Sequence, residues 1–196
     1  MMYVDPANGE LLDQRPAVTR VPFIDYDDAE NPRNYGEWTL CLTDNRHFPH
    51  GDHAADHEEE ERMSRKRGWL CLPIYAYVHS GVAFSLAPFG DPWDSGCCGY
   101  AYARLANWGR RNDEARARRA INCLKAELQV YQAYVNGEVY YAGVEDTRTG
   151  EILDSCGGYY GADAARDAAL EMLAALPPDD RQLTFKEDAA CAAAWR

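Results

Sequence analysis

Residues 69–105, WLCLPIYAYVHSGVAFSLAPFGDPWDSGCCGYAYARL, decide the fold of this chain. The nearly all-apolar run 69–78 predicts a strand, and its Pro73 indicates a bulge or an edge position. Two further β-rich runs, 82–87 and 99–105, predict strands that follow it. Loop 90–99 joins them, and its glycine and proline content fixes a particular backbone path. A fixed loop of this kind is also a common place for function.

The sequence on either side of this stretch adds helices and more strands. A helix is predicted over 112–135 because apolar residues recur there at spacings of three and four, at Ile121, Leu124, Leu128, Tyr131 and Val135. Asn112 is a good N-cap for it. Other predicted elements are strands at 18–26, 38–42, 138–146 and 151–156, a polar helix at 54–66 and an alanine-rich helix at 162–176.

These elements predict an α+β protein, because strands follow one another without the alternation of a Rossmann fold. We expect an antiparallel sheet of five to six strands packed against one long helix plus two or three shorter helices. Residues 1–17 are predicted to be a loose N-terminal arm and residues 18–176 a single domain. Residues 177–196 are predicted to be a C-terminal extension with a short helix.

Charge is distributed unevenly along the 196 residues, whose formal net charge is −12. Residues 1–61 carry 15 acidic and 4 basic side chains, residues 62–125 carry 4 and 11, and residues 126–196 carry 13 and 5. Such segregation predicts opposed surface patches that can steer a charged partner. The alternative interpretation is a set of solvated faces that neutralise one another in the folded protein.

Composition also indicates the cellular compartment. The sequence has no apolar run long enough to cross a membrane and no secretory signal at its N-terminus, so a cytoplasmic protein without membrane attachment is predicted. Its seven cysteines are an odd number and include no C-x-x-C pair, which favours free thiols over disulfides or structural zinc. No cofactor motif is present, and none is predicted.

Several blocks of the sequence resemble a family of uncharacterised proteins encoded by bacteriophages, plasmids and conjugative elements. The blocks are Asn31-Pro32-Arg33 with Gly51-Asp52, Leu72–Tyr77 with His79-Ser80-Gly81, Pro88-Phe89 with Pro92-Trp93-Asp94-Ser95-Gly96 and Gly99, Tyr134 with Gly137 and Val139, and Asp154-Ser155-Cys156 with Gly158, Tyr160 and Gly161. They span residues 25–165. The chain departs from this pattern at Cys97-Cys98 and in its histidine-rich segment 47–57. The resemblance implies a mobile-element origin and a bacterial host cell, and it supplies no catalytic residues.

Loop 79–99 is the first candidate site. If the protein is an enzyme, His79, Asp94 and Ser95 can supply base, orienting carboxylate and nucleophile, with Cys97 replacing the serine. The preferred interpretation of the loop is structural. Asp94 and Ser95 are turn residues, Trp93 buries its ring and fixes the loop, and His79-Ser80-Gly81 forms a tight turn. A ligand- or partner-binding loop centred on Trp93, Asp94, Ser95 and Gly96 is the third interpretation.

Two acidic segments, 25–30 and 56–61, form the second candidate site. Rows of carboxylates can imitate a phosphate backbone, so these segments predict binding to a basic protein groove. The predicted partner-binding residues are Asp25, Asp27, Asp28, Glu30, Asp56, Glu58, Glu59, Glu60 and Glu61. A solvated acidic face without a partner is the alternative.

Two further clusters remain. His53 and His57 are four residues apart and would share one face of a helix, which makes them weak metal-ligand candidates beside the simpler interpretation of exposed, metal-free histidines. A basic band at 104–125 lies near Tyr102 and Trp108, and arginine beside aromatic rings suits nucleic acid. The net negative charge opposes phosphate binding, so direct nucleic-acid binding is not the preferred hypothesis.

The preferred hypothesis is therefore a non-enzymatic accessory protein of a phage or other mobile element. It binds a host defence protein, in the manner of anti-CRISPR and anti-restriction proteins, by presenting acidic surface to a basic groove. A small enzyme or ligand-binding domain with its site at loop 79–99 is the alternative, and direct nucleic-acid binding by the basic band is a second one. A homodimer is compatible with each of these hypotheses.

Overall fold

A computed structural model describes residues 1–28, 30–34, 41–44, 53–54, 56–110 and 112–178. Within these residues the chain forms ten strands, three α-helices and two short 3₁₀ helices, which confirms the α+β class. The strands are β1 Met2–Val4, β2 Leu11–Leu12, β3 Arg20–Tyr26, β4 Cys41–Asp44, β5 His53–Ala54, β6 Trp69–Val78, β7 Val82–Ser85, β8 Ser95–Arg104, β9 Val139–Asp146 and β10 Glu151–Tyr160. The α-helices are α1 His57–Ser64, α2 Asp113–Val135 and α3 Ala162–Ala175.

The strands lie in two five-stranded sheets. The order in the first is β10-β9-β3-β1-β2 and the order in the second is β5-β4-β8-β6-β7. Pairing is antiparallel at β1–β2, β1–β3, β4–β8, β6–β7 and β6–β8, while β4 and β5 are parallel. The sequence predicts a single sheet because hydrophobic periodicity identifies strands but does not identify which distant strands pair.

Contacts along the chain divide it into two compact units. The first contains residues 1–25, 141–157 and the described residues from 163 onward. Its core includes fully buried Val21, Phe23, Ile24 and Val144. Strands β1 and β2 belong to its sheet, where the sequence predicts a loose arm at 1–17, because Met2 and Tyr3 pair with Ile24 and Phe23 of β3.

The second unit contains residues 26–140 and 158–162 and includes helix α2 and the second sheet. One apolar stripe of α2 packs on one face of that sheet, as its spacing predicts. The core residues are Ala120, Leu124 and Leu128 of α2 with Ile74, Ala76, Cys98, Ala101 and Ala103 of the sheet. The predicted cap is confirmed, because the Asn112 side chain accepts a hydrogen bond from Ala115 N at 3.0 Å.

Several boundaries differ from the sequence-based prediction. Strand β8 begins at Ser95, so half of the predicted loop 90–99 is strand. Helix α1 begins at His57, three residues later than predicted, because Asp56 caps it by accepting hydrogen bonds from Glu58 N and Glu59 N. The predicted strand residues 38–40 and the predicted short helix beyond residue 186 lie outside the described residues.

Candidate binding surface

The loop between β7 and β8 is organised by Asp91. One of its carboxylate oxygens, Oδ1, accepts hydrogen bonds from Trp93 N at 2.7 Å and Asp94 N at 3.1 Å. Its backbone carbonyl accepts a hydrogen bond from the Ser95 hydroxyl. Asp94 O accepts from Val78 N at 2.8 Å, which ties the end of the loop to β6. Backbone and Asp91 side-chain hydrogen bonds therefore fix the loop.

The hydrogen bonds to Asp91 favour its charged form. The backbone N–H groups of Asp94 and then Trp93 lower the pKa of this exposed carboxyl, while desolvation raises the pKa by a smaller amount. Asp91 therefore carries a negative charge at neutral pH and holds the loop in that charged state.

Acid should loosen this loop. A lowered folded-state pKa means that Asp91 stabilises the loop fully above its unfolded-state pKa, about 3.9, and that this stabilisation is lost as the pH falls through the lower folded-state pKa. We expect the Trp93 and Asp94 amide resonances to shift, and their protection from hydrogen exchange relative to an unfolded chain at the same pH to fall, only below about pH 3.9. In Asp91→Asn the amide oxygen still accepts but does not titrate, so the dependence should vanish. A wild-type midpoint above that pH would contradict the interpretation.

Of the four residues that would serve an enzyme, the structure joins two. His79 Nδ1 lies 3.1 Å from Asp94 Oδ2, with the two side chains 69% and 38% exposed. Ser95 donates to the Asp91 carbonyl, and Cys97 Sγ lies 3.4 Å from the Gly99 carbonyl. Both potential nucleophiles thus bond to backbone carbonyls. The arrangement suits a polar contact surface better than covalent catalysis.

The Trp93 ring is not buried. The residue is 90% exposed, where the sequence predicts that its ring is buried and holds the loop. The reason is that Asp91 already fixes the backbone, so the indole is free to project into solvent. The other part of that prediction is confirmed, since His79-Ser80-Gly81 is the tight turn that lets Val78 pair with Val82.

Aromatic side chains accompany Trp93 at this end of the second sheet. Tyr77 lies between two rings, with centroid distances of 5.7 Å to Phe89 and 6.3 Å to His79. No lysine or arginine occurs between Trp69 and Ala103, so Asp91 and Asp94 are the charged residues of this stretch. We call Tyr77, His79, Phe89, Asp91, Trp93 and Asp94 the aromatic loop cluster.

Sequence reasoning missed three members of the aromatic loop cluster, namely Tyr77, Phe89 and Asp91. A signal for Asp91 was present, because an aspartate directly before Pro92 favours a turn closed by its own side chain. No sequence signal indicates that Tyr77 and Phe89 meet, since they are separated by the hairpin and approach only once β6 and β7 are paired.

Both vicinal cysteines lie on β8 but differ in environment. Cys98 is buried in the core, its Sγ lies 3.4 Å from the Ile74 carbonyl, and burial followed by the neighbouring Cys97 raises its pKa to about 12. Its thiol is therefore protonated and unreactive at neutral pH. Cys97 is exposed on the opposite side of the strand, beside Tyr75 of β6.

Helix α1 lies on the face of the second sheet turned away from α2, which we call the outer face. Cross-strand partners on this face include Cys71 with Tyr102 and Tyr75 with Cys97. The Lys66 ammonium lies 4.6 Å from the Trp69 ring centroid. Burial and then the nearby Glu60 raise the pKa of Cys71, and burial followed by Cys97 and Glu60 raises the pKa of Tyr100. The basic end of α1 therefore lies at the start of β6, and its acidic end lies further along the strand.

Five predicted partner-binding acids are placed in or beside α1. Asp56 caps the helix, and Glu60 is buried. Glu59 pairs with Arg62 at 3.0 Å and Glu61 with Arg65 at 2.6 Å, all on exposed side chains. Glu58 is also exposed. Glu58, Glu59 and Glu61 are thus presented to solvent, and Asp56 and Glu60 serve the fold.

The acids of segment 25–30 have different structural roles. Asp25, which belongs to the first unit, contacts the N-terminal ammonium at 2.7 Å. In the second unit, Asp27 Oδ2 accepts from Gly158 N at 2.8 Å, and the Glu30 carbonyl accepts from the Tyr160 hydroxyl at 3.1 Å. Asp28 and the Glu30 side chain are exposed. Part of this segment therefore stabilises local structure instead of forming a continuous acidic row.

The remaining clusters are not assembled as predicted. His53 lies in β5 and His57 begins α1, so the two do not share a helix face, and their side chains lie outside the described residues, as do His47 and His50. In the basic band, Arg116 pairs with Asp113 at 3.1 Å and Arg118 with Glu114 at 3.3 Å. Arg119 donates to the Trp108 carbonyl at 3.2 Å. The described helix therefore neutralises part of its own positive charge.

The chain matches no protein-family model, and it shows no significant similarity to a curated protein or to a solved structure. The resemblance to mobile-element proteins therefore stays a prediction. No helix in the described part of the chain is both long enough and apolar enough to cross a membrane.

Proposed function

We propose that this chain is a non-catalytic binding protein of a phage or other mobile element. It acts in the cytoplasm of the bacterial host by occupying the basic groove of a nucleic-acid-binding defence protein. The observation that carries the proposal is the exposed acidic charge of the second unit. Exposed Glu58, Glu59 and Glu61 lie on α1, and the loop between β7 and β8 adds Asp91 and Asp94 within a stretch, Trp69 to Ala103, that contains no lysine or arginine.

The second unit exposes both features that a nucleic-acid groove recognises. Such grooves pair cationic side chains with aromatic platforms on which bases stack. The outer face offers carboxylates in place of phosphates, and Trp93 offers a flat ring in place of a base. A surface with carboxylates alone would satisfy only the electrostatic half of that recognition.

The ion pairs of α1 do not prevent such binding. Pairs between exposed side chains contribute about 0–1 kcal/mol, because water screens them and ordering two long side chains costs entropy. The cations of a groove can therefore replace Arg62 and Arg65 as partners of Glu59 and Glu61 at little cost. Long-range attraction would also accelerate association at low salt.

One observation favours a second candidate function. The contact of His79 with Asp94 at 3.1 Å places an imidazole and a carboxylate together at an exposed turn, which suits a small polar ligand. In that case loop 79–99 would be a ligand-binding site in its own right. Binding of a small molecule that is lost in His79→Ala, with unchanged inhibition of a defence protein, would identify it.

The test uses purified CRISPR effector complexes and restriction endonucleases, whose cleavage of labelled nucleic acid is followed as this protein is added. We expect inhibition of at least one enzyme, weakening as salt rises from about 50 to 200 mM. Glu58→Lys with Glu61→Lys should raise the inhibitory concentration about tenfold or more. The matched control is Asp163→Lys with Asp167→Lys, which reverses two exposed acids of α3 in the first unit. Three results would contradict the proposal: inhibition that does not change with salt concentration, an equal rise in inhibitory concentration for both double variants, and the absence of inhibition.

A further inference from the structure

We propose that the aromatic loop cluster is an arginine-binding site, in which a guanidinium of a basic protein segment stacks on Trp93 beside Asp91 and Asp94. This inference rests on the proposed function and names the chemical group that the partner inserts. The juxtaposition that carries it is a 90% exposed indole on a hydrogen-bonded loop with two carboxylates and no cation of its own.

Exposure of Trp93 is the first step. A solvent-facing tryptophan forgoes the burial that stabilises most large apolar side chains, and tryptophan is among the residues most enriched at binding hot spots. Here the backbone that carries the indole is also pre-organised, because it is held on both sides by Asp91 and by the Val78–Asp94 hydrogen bond. Pre-organisation lowers the entropy lost when a partner binds.

Charge selects the occupant. Asp91 is held ionised by two backbone N–H groups, and Asp94 lies on the same turn, next to Trp93. His79 contacts Asp94, and its side chain is 69% exposed, so a bound protein segment can contact both residues. No lysine or arginine of residues 69–103 competes for these carboxylates. The site is thus complementary to a cation and repels a phosphate.

Among cations, arginine fits better than lysine. A guanidinium is planar and weakly hydrated, so it stacks on an aromatic face while its N–H groups remain free to donate to carboxylates. Tyr77 and Phe89, with ring centroids 5.7 Å apart, form a second aromatic surface at the same end of the sheet. An ammonium makes one point contact and keeps more of its water.

The test measures binding of a fluorescently labelled oligo-arginine peptide to the full chain, beside oligo-lysine and a single-stranded DNA oligonucleotide. We expect Trp93→Ala to weaken oligo-arginine binding about tenfold and Trp93→Phe about two- to threefold, since phenylalanine keeps an aromatic face. Asp94→Asn should weaken it less than Trp93→Ala but measurably. Ile152→Ala, which removes an exposed apolar side chain of the first unit, is the control and should bind like the wild type. Circular dichroism should show all four variants folded.

Each other result overturns the assignment. If Trp93→Ala binds oligo-arginine as tightly as the wild type does, Trp93 is not part of an arginine site. If Trp93→Ala weakens the binding of oligo-arginine and oligo-lysine equally, the site has no preference for a guanidinium. DNA binding that depends on Trp93 assigns the cluster to nucleic acid. The two proposals fail separately. Inhibition that is lost in the α1 variant but kept in Trp93→Ala rejects only the arginine site, while peptide binding without inhibition of any defence enzyme rejects only the proposed function.

Discussion

Gly143→Ala is expected to destabilise the protein strongly, because the added methyl group would overlap two packed neighbours. An ideal Cβ at Gly143 would lie 2.7 Å from Phe23 Cζ and 2.9 Å from the Asp154 carbonyl oxygen. Phe23 is fully buried and packs edge-on against Tyr141 at 5.8 Å, and the second contact is backbone, so neither neighbour can yield easily. Overpacking of this kind costs about 1–3 kcal/mol and occasionally more, and we expect about 3 kcal/mol.

Urea unfolding followed by circular dichroism would measure the loss, which corresponds to a fall in Tm of about 6–12 °C for a chain of this size. The matched control is Gly96→Ala in β8, where a Cβ meets no atom within 4 Å and should change stability by less than about 0.5 kcal/mol. Phe23→Leu removes the ring atoms of the clash, so the double variant should lose less than the sum of the single losses. A stability for Gly143→Ala equal to that of Gly96→Ala would refute the close approach.

Asn136→Ala should expose the edge of the second sheet and lower the free energy of unfolding by about 2 kcal/mol. Asn136 Oδ1 accepts from Val82 N at 2.7 Å, and Asn136 Nδ2 donates to Val82 O at 2.9 Å. Gln132 Oε1 accepts from Phe84 N at 2.9 Å. Helix α2 thus supplies to edge strand β7 the hydrogen bonds that a further strand would have made. Removal of Asn136 leaves both partners on Val82 unsatisfied.

Hydrogen exchange separates this effect from a general loss of stability. In Asn136→Ala the Val82 amide should exchange much faster, while the Leu124 amide in the middle of α2 should follow only the global change. Asn122→Ala is the control, because Asn122 is an exposed residue of the same helix and alanine favours helix. If the Val82 amide stays protected in Asn136→Ala, the Asn136 side chain does not cap this edge of the sheet.

Local patterns predicted well those elements that local physics determines. Helix α2 and its Asn112 cap follow from apolar spacing and one side chain, and β6 follows from an unbroken apolar run. The sequence does not predict the start of β8, because the glycines and cysteines at 95–99 lack the β-branched and aromatic residues that are typical of strands. These residues form a strand only by pairing with β6, where Tyr77 meets Ser95 and Ala76 meets Gly96.

The candidate site was predicted in place but not in character. The composition of the loop indicates Trp93 and Asp94 as site residues, and the possible enzyme site pairs His79 with Asp94. Exposure of Trp93 could not be predicted, because it depends on Asp91 replacing the ring as the element that holds the loop. The sequence locates the acidic segments but does not show which of their acids face solvent. Helix capping by Asp56 and burial of Glu60 depend on the folded structure.

The division of the chain has a consequence for its synthesis. Residues 26–140 interrupt the first unit, so β3 and β9, neighbours in one sheet, are separated by roughly a hundred residues of chain. As the nascent polypeptide leaves the ribosome, β1 to β3 emerge first. Their partners β9 and β10 emerge only after most of the second unit has been synthesised. A ribosome stalled just after α2 would therefore hold an orphaned N-terminal half-sheet, and chaperones would be needed most at that moment.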